Sequence, residues 1–279
     1  MVKATTHLFF FLIMFFSQAF FSSAQILNID KTDTSEYGKQ AVFNLNIGSG
    51  LEIDKQKITV YDASNSLDAS LQKSKELYIF SSGFRFTYNG PSDILNTGFF
   101  HFRFRHDYKN TLHPETFIQY QCDTRRGIVR RELAGINIRW NNYLHPKLNL
   151  ILATGVMVER EQWDYAAVDS EKIPLNAPDV KTVFIESNNY IKFEYKVSDH
   201  SDLFFTTFIQ FRPDRFYRYP RIANSLKWNV DVSKHLSIAF DYSSVYDTKP
   251  TVPIDKFYYT LTNSLVYKSE SKIMFIFAG

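Results

Sequence analysis

Apolar side chains, many of them aromatic, recur at every second residue along most of this chain, and that period constrains the fold more than any other feature. Phe100, Phe102 and Phe104 alternate with His101, Arg103 and Arg105. Tyr78, Phe80, Phe84, Phe86 and Tyr88 share one parity; Ser81, Gly83, Arg85 and Thr87 share the other. Leu148, Leu150, Leu152, Val156 and Val158 oppose Asn149, Gly155 and Glu159 in the same way. So do Leu226, Trp228, Val230 and Val232 against Lys227, Asn229 and Asp231, and Leu236, Ile238, Phe240 and Tyr242 against Ser237, Asp241 and Ser243. A period of two puts successive side chains on opposite faces of a strand, whereas a helix needs apolar residues every three or four positions. No helical segment of any length emerges after Ala24. Aromatics reach 17% while mean hydropathy is −0.25, too polar for a helical membrane protein but natural for strands with one apolar face.

The runs predict about twelve strands, near 38–50, 56–71, 76–89, 94–107, 114–123 and 127–141, then 147–160, 181–196, 202–212, 221–232, 236–247 and 257–268. Their number is even and many are ten residues or longer, as tilted strands of a bacterial outer-membrane barrel must be. Soluble strands average about 5–6 residues. Connections Gln72–Lys75, Tyr108–His113, Asn142–Pro146, Ser198–Ser201 and Ser233–His235 are short, while Glu161–Val180 and Pro213–Pro220 are longer. Short turns opposite longer loops are the outer-membrane pattern, with both chain ends on the periplasmic side.

Parity alone does not say which face meets water. Three features favour a barrel with its apolar face toward lipid. The aromatic load exceeds what the inside of a small barrel can hold. Tyr and Trp fall near strand ends, at Tyr78, Tyr88, Trp140, Tyr195, Tyr242, Tyr259 and Tyr267, where interfacial girdles belong. The polar parity carries small residues such as Gly83, Ala153 and Gly155, as a crowded interior requires. The N-terminus fits export: Lys3, the apolar run Leu8–Phe16, then Ser22-Ser23-Ala24 as a cleavage site, with Gln25 opening the mature chain. The expected organisation is a signal peptide over 1–24, a periplasmic segment over 25–37, an all-β transmembrane antiparallel up-and-down barrel over 38–268, and a tail over 269–279.

The stretch from Phe99 to Glu161 carries a set of motifs: Arg105-His106-Asp107, then Phe117-Ile118-Gln119-Tyr120-Gln121, then Arg131-Glu132-Leu133-Ala134-Gly135, then Gly155 with Glu159 and Glu161. This set resembles the salt-induced outer-membrane protein family, the domain of unknown function numbered 481. The resemblance implies an outer-membrane barrel with a role in envelope or osmotic stress and carries no activity to transfer. One departure stands out. Such barrels end on an aromatic strand terminus, the expected signal for the barrel-insertion machinery, but here Lys268-Ser269-Glu270 follow Tyr267, and Ile273–Gly279 come after. That tail is either an extra segment or a replacement for the last strand.

No phosphate-binding loop, dinucleotide fingerprint, zinc-protease motif or nucleophile elbow is present. With 1 Cys there is no internal disulfide and no cysteine metal cluster, and a net charge of +3 with 22% charged residues excludes a strongly basic nucleic-acid binder. No catalytic, cofactor or metal residues are assigned. His101 reads as a hydrogen-bonded interior side chain, and its parity argues against a barrel-wall lipid hydrolase. The basic, aromatic run Arg212–Arg221 reads as a solvated external loop near lipopolysaccharide. Cys122 shares parity with Ile118 and Tyr120 and is expected to face lipid.

The inward parity of the middle strands carries alternating charge: Arg103 and Arg105, then Glu115 and Asp123, then Arg131 and Arg139, then Glu159 and Glu161. Opposite charges on neighbouring strands favour each other. Up-and-down order places Arg103, Arg105, Glu115 and Arg139 toward the periplasmic end and Asp123, Arg131, Glu159 and Glu161 toward the outside, with Arg131 in ion-pair reach of Glu159 or Glu161. The expected protein is a non-enzymatic monomer among outer-membrane lipid, with a structural charge network filling its lumen. A narrow channel for small solutes or ions, or a soluble ligand-binding β-domain, are the alternatives.

Overall fold

Alternation on this scale yields twelve strands. They are β1 (Val42–Lys55), β2 (Thr59–Lys73), β3 (Glu76–Tyr88), β4 (Ile94–His106), β5 (Leu112–Asp123), β6 (Ile128–His145), β7 (Leu148–Trp163), β8 (Val180–Ser198), β9 (Ser201–Phe211), β10 (Arg221–Asp231), β11 (Leu236–Asp247) and β12 (Phe257–Tyr267). They form one sheet in sequence order, every neighbouring pair antiparallel. The computed structural model describes residues 41–55, 59–88, 94–215, 219–234 and 236–267. The expected signal peptide, the 25–37 segment and the 269–279 tail lie outside the described residues, as does His235.

Strand ends depart from expectation in three places. β1 runs on to Lys55 rather than stopping at residue 50. β6 continues to His145 and β7 to Trp163, so the loop expected from Glu161 opens at Asp164. The extension of β7 has a packing reason: Trp163 pairs with Ile128 and is 1% exposed, so its ring holds the ladder together for three further residues. Of the expected girdle, Trp140 and Tyr242 fall inside their strands rather than at the ends, because β6 runs beyond Trp140 and Tyr242 lies mid-β11; the side chain of Tyr267 lies outside the described residues.

The sheet is rolled, because side chains meet across strands that are not neighbours. The Arg126 guanidinium, in the turn between β5 and β6, lies 4.4 Å from the ring centroid of Tyr258 on β12. Arg221 on β10 reaches Glu159 and Glu161 on β7. The Tyr190 hydroxyl on β8 donates to Glu115 on β5. Among the described residues β1 pairs only with β2 and β12 only with β11. The connections at one end are short turns, and the other end carries loops 164–179, 212–220 and 248–256.

Polarity is inverted relative to a water-soluble protein. Glu115, Arg139 and Lys192 are 0% exposed on the inner face, while Ile118, Ile136, Val183 and Ile185 are 58–65% exposed on the outer one. The inner face is not wholly polar. Ile151, Ala153, Tyr190, Phe208, Ala223 and Val245 form a buried apolar cluster along β7 to β11, and Phe117, Leu133 and Met157 form another. These residues sit on the inward parity, so the inner face carries apolar as well as charged side chains.

Candidate functional site

The chemistry-bearing side chains converge on the inner face in two ion clusters, with a row of amides between them that is hydrogen-bonded from Glu115 to Gln210 and meets Arg221 by strand register. Toward the short turns, Glu115 is the hub. Arg105 donates to its Oε2 at 2.8 Å, with Arg103 at 3.5 Å and Arg139 at 3.8 Å. Asn137 donates to the other oxygen at 3.1 Å, and Tyr190 adds its hydroxyl at 3.2 Å. One carboxylate thus gathers three guanidinium groups, each at most 5% exposed. In a medium from which water is excluded, such a charge persists only when it is paired and hydrogen-bonded in this way. Lys192, also fully buried, reaches Glu194 at 2.5 Å, and Asn149 donates to the same carboxylate at 2.9 Å.

Toward the long loops, Glu159 and Glu161 share β7's inward parity and stand between Arg131 on β6 and Arg221 on β10. Arg131 donates to Glu159 and lies 3.2 Å from Glu161. Arg221 reaches Glu159 at 2.8 Å, Glu161 at 3.2 Å and Asp247 at 3.0 Å. Trp163 donates its indole N–H to Glu161 at 2.9 Å, and the Thr251 hydroxyl of the β11–β12 loop does so at 3.2 Å. Asp123, 1% exposed, lies 3.7 Å from Arg125 in the adjacent turn. Beside this cluster Val168 and Val252, from two different loops, pack with Ile128 and Trp163, with Ile254 against them.

Between the clusters runs a row that follows strand register. Arg105 pairs with Glu115, Glu115 with Asn137, Asn137 with Gly155, Gly155 with Asn188, Asn188 with Gln210, Gln210 with Arg221, and Arg221 with Asp247. Asn188 donates to Asn137 at 3.2 Å and Gln210 to Asn188 at 3.2 Å. The row starts near the short turns on β4 and ends at the long loops on β10 and β11, since tilted strands make any line of register climb the wall. Gly155 is what allows it to cross β7. Asn137 and Asn188 sit on either side of that strand, and a Cβ on Gly155 would run into the Asn137 side chain and the Ile136 carbonyl oxygen. Parallel to it, Arg139, Ala153, Tyr190, Phe208, Ala223 and Val245 are likewise register neighbours, giving an apolar row that packs under the polar one.

The structure therefore brings Arg103, Arg105, Glu115 and Arg139 into one cluster and Arg131, Glu159 and Glu161 into another. Arg221 stands where the expected strand 221–232 overlaps the basic run Arg212–Arg221: it opens β10 as the strand reading has it, and its side chain, 15% exposed with three carboxylates around it, is not solvated as the loop reading has it. Asn137 lies on the inward face that its parity with Arg131 and Arg139 implies; Lys192 and Asn188 are further inward residues, and their shared parity on β8 is the signal that finds them. His101 hydrogen-bonds Gln119 at 2.9 Å and stacks on Phe117. Among the described residues no three His, Cys, Asp or Glu side chains gather as a metal ion would require.

No family model matches the chain, and no curated protein matches it. Among solved structures it is similar to the NanC porin in its rhombohedral crystal form, with a TM-score of 0.44 and 9% sequence identity over 82% of this chain and 99% of that one.

Proposed function

We propose that this chain is an integral barrel of a bacterial outer membrane whose lumen is closed by its own side chains, and that it serves the envelope without catalysing a reaction. One observation carries this: the face that excludes solvent is the charged one, and the face left uncovered is aliphatic and aromatic. Ile136 is 59% exposed while its neighbour Asn137 is 3% exposed, and the same contrast separates Ile118 from Gln119 and Val158 from Glu159. Contiguous apolar surface on this scale fits a lipid partner, and spanning strands keep their backbone bonded only when the sheet closes, which in the membrane requires β1 to meet β12. The two ion clusters, the amide row between them and the apolar row beneath occupy the space a solute would need. A role in envelope or osmotic stress, implied by the family resemblance, belongs with this proposal.

Two measurements on the full chain test it. A folded barrel in detergent migrates differently before and after boiling, and a closed one adds no steady conductance to a planar bilayer. Identical migration would remove the barrel; discrete conductance steps would make the protein a narrow channel.

A further inference from the structure

Charge on the outer wall is densest in one sector. At the long-loop end of β6, β7 and β8 the outward parity places Arg130, Glu132, Arg160, Gln162 and Lys181 side by side, Glu132 paired with Arg160, Arg130 with Gln162 and Gln162 with Lys181. Immediately toward the short turns the same parity is apolar: Ile136, Val156, Val158, Val183 and Ile185 are all 48% exposed or more. Elsewhere at this end the exposed outward side chains are mainly apolar, at Ile53, Tyr61, Phe86, Tyr88, Tyr246 and Phe257, with Lys55 on β1 as a further cation. The charge is therefore not a general rim.

Two guanidinium groups bracket one carboxylate loosely. Arg160 lies 3.8 Å and Arg130 4.0 Å from Glu132, with side chains 54% and 34% exposed. Exposed pairs of this geometry contribute little, so Glu132 does not saturate the two guanidinium groups and another anion can join them. Lys181, one strand further, adds a cation, while the nearby Asp179 carboxylate is held by Gln162 at 2.7 Å. A planar guanidinium fork matches a phosphate or a carboxylate bidentately. The position, directly above an aliphatic belt, selects a phosphate attached to acyl chains.

We propose that Arg130, Arg160 and Lys181 bind the phosphate of a phosphorylated glycolipid headgroup in the outer leaflet, with its acyl chains lying along Ile136, Val158 and Ile185. This rests on the outer-membrane barrel proposed above. The test uses the full chain in detergent, its thermal unfolding followed with bisphosphoryl lipid A and with the dephosphorylated lipid as probes. The phosphorylated lipid should raise the unfolding temperature more than the dephosphorylated one. The combined variant Arg130→Gln, Arg160→Gln, Lys181→Gln should lose that difference and keep the heat-modifiable band. Should the combined variant not fold, Arg160→Gln alone, at the most exposed member, should shrink the difference. Equal shifts with both lipids, or a difference undiminished in the variants, overturn the site. If the native protein itself shows no heat-modifiable band, it is the barrel that fails, and the two failures are told apart.

Discussion

Gly155 shows how much a single missing side chain can organise. Asn137 and Asn188 stand two strands apart and bond through the space over it. Gly155→Ala should force β7 away from β6 or break that bond, costing about 1–3 kcal/mol as overpacking does, read as a lower urea midpoint of the refolded protein. The two ion clusters should respond unequally to loss of one charge. Glu115→Gln leaves Arg103, Arg105 and Arg139 facing a neutral amide, and breaking a buried pair in this way should cost about 3–5 kcal/mol. Arg131→Ala leaves Glu159 and Glu161 with Arg221, so the loss should stay near 1–3 kcal/mol. An equal loss in both variants would show that water already solvates the Glu115 hub. Cys122, on the outward parity beside Tyr120, should react with membrane-permeant maleimides in preference to charged ones.

At the scale of elements, periodicity located every strand because one face is buried and the other is not, and a slip of one residue would invert the whole pattern. Ends were less legible. β7 outlasts its expected end because Trp163 finds Ile128, Val168 and Val252, partners supplied by a neighbouring strand, the loop that follows β7 and a distant loop, which no alternation pattern announces. The same packing makes the loops at that end part of the barrel rather than appendages. Val252→Asp should place a carboxylate among Ile128, Trp163 and Val168, beside Glu161, and detach the β11–β12 loop. Limited proteolysis should then cut within 248–256 while the heat-modifiable band persists. Resistance equal to the native protein would mean the loop is held by its other contacts.

For the molecule as a whole, what escaped the sequence was everything set by register between strands. The charge alternation of Arg105, Glu115, Arg139 and of Arg131, Glu159, Glu161 could be read strand by strand, since parity alone puts those residues on one face. The row from Glu115 through Asn137, Asn188 and Gln210 to Arg221 could not, because its members are neighbours only once five pairings and the strand tilt are fixed together. Parity likewise left open which face meets solvent, and burial decides it: the charged face turns in. The most direct test of that inversion compares adjacent residues of β6. In a Cys122→Ser background, a bimane probe on Ile136→Cys and another on Asn137→Cys are reconstituted with lipids brominated along their acyl chains. The account predicts strong quenching at 136 and little at 137. Quenching at 137 with none at 136, or equal quenching by a water-soluble quencher at both, would contradict it.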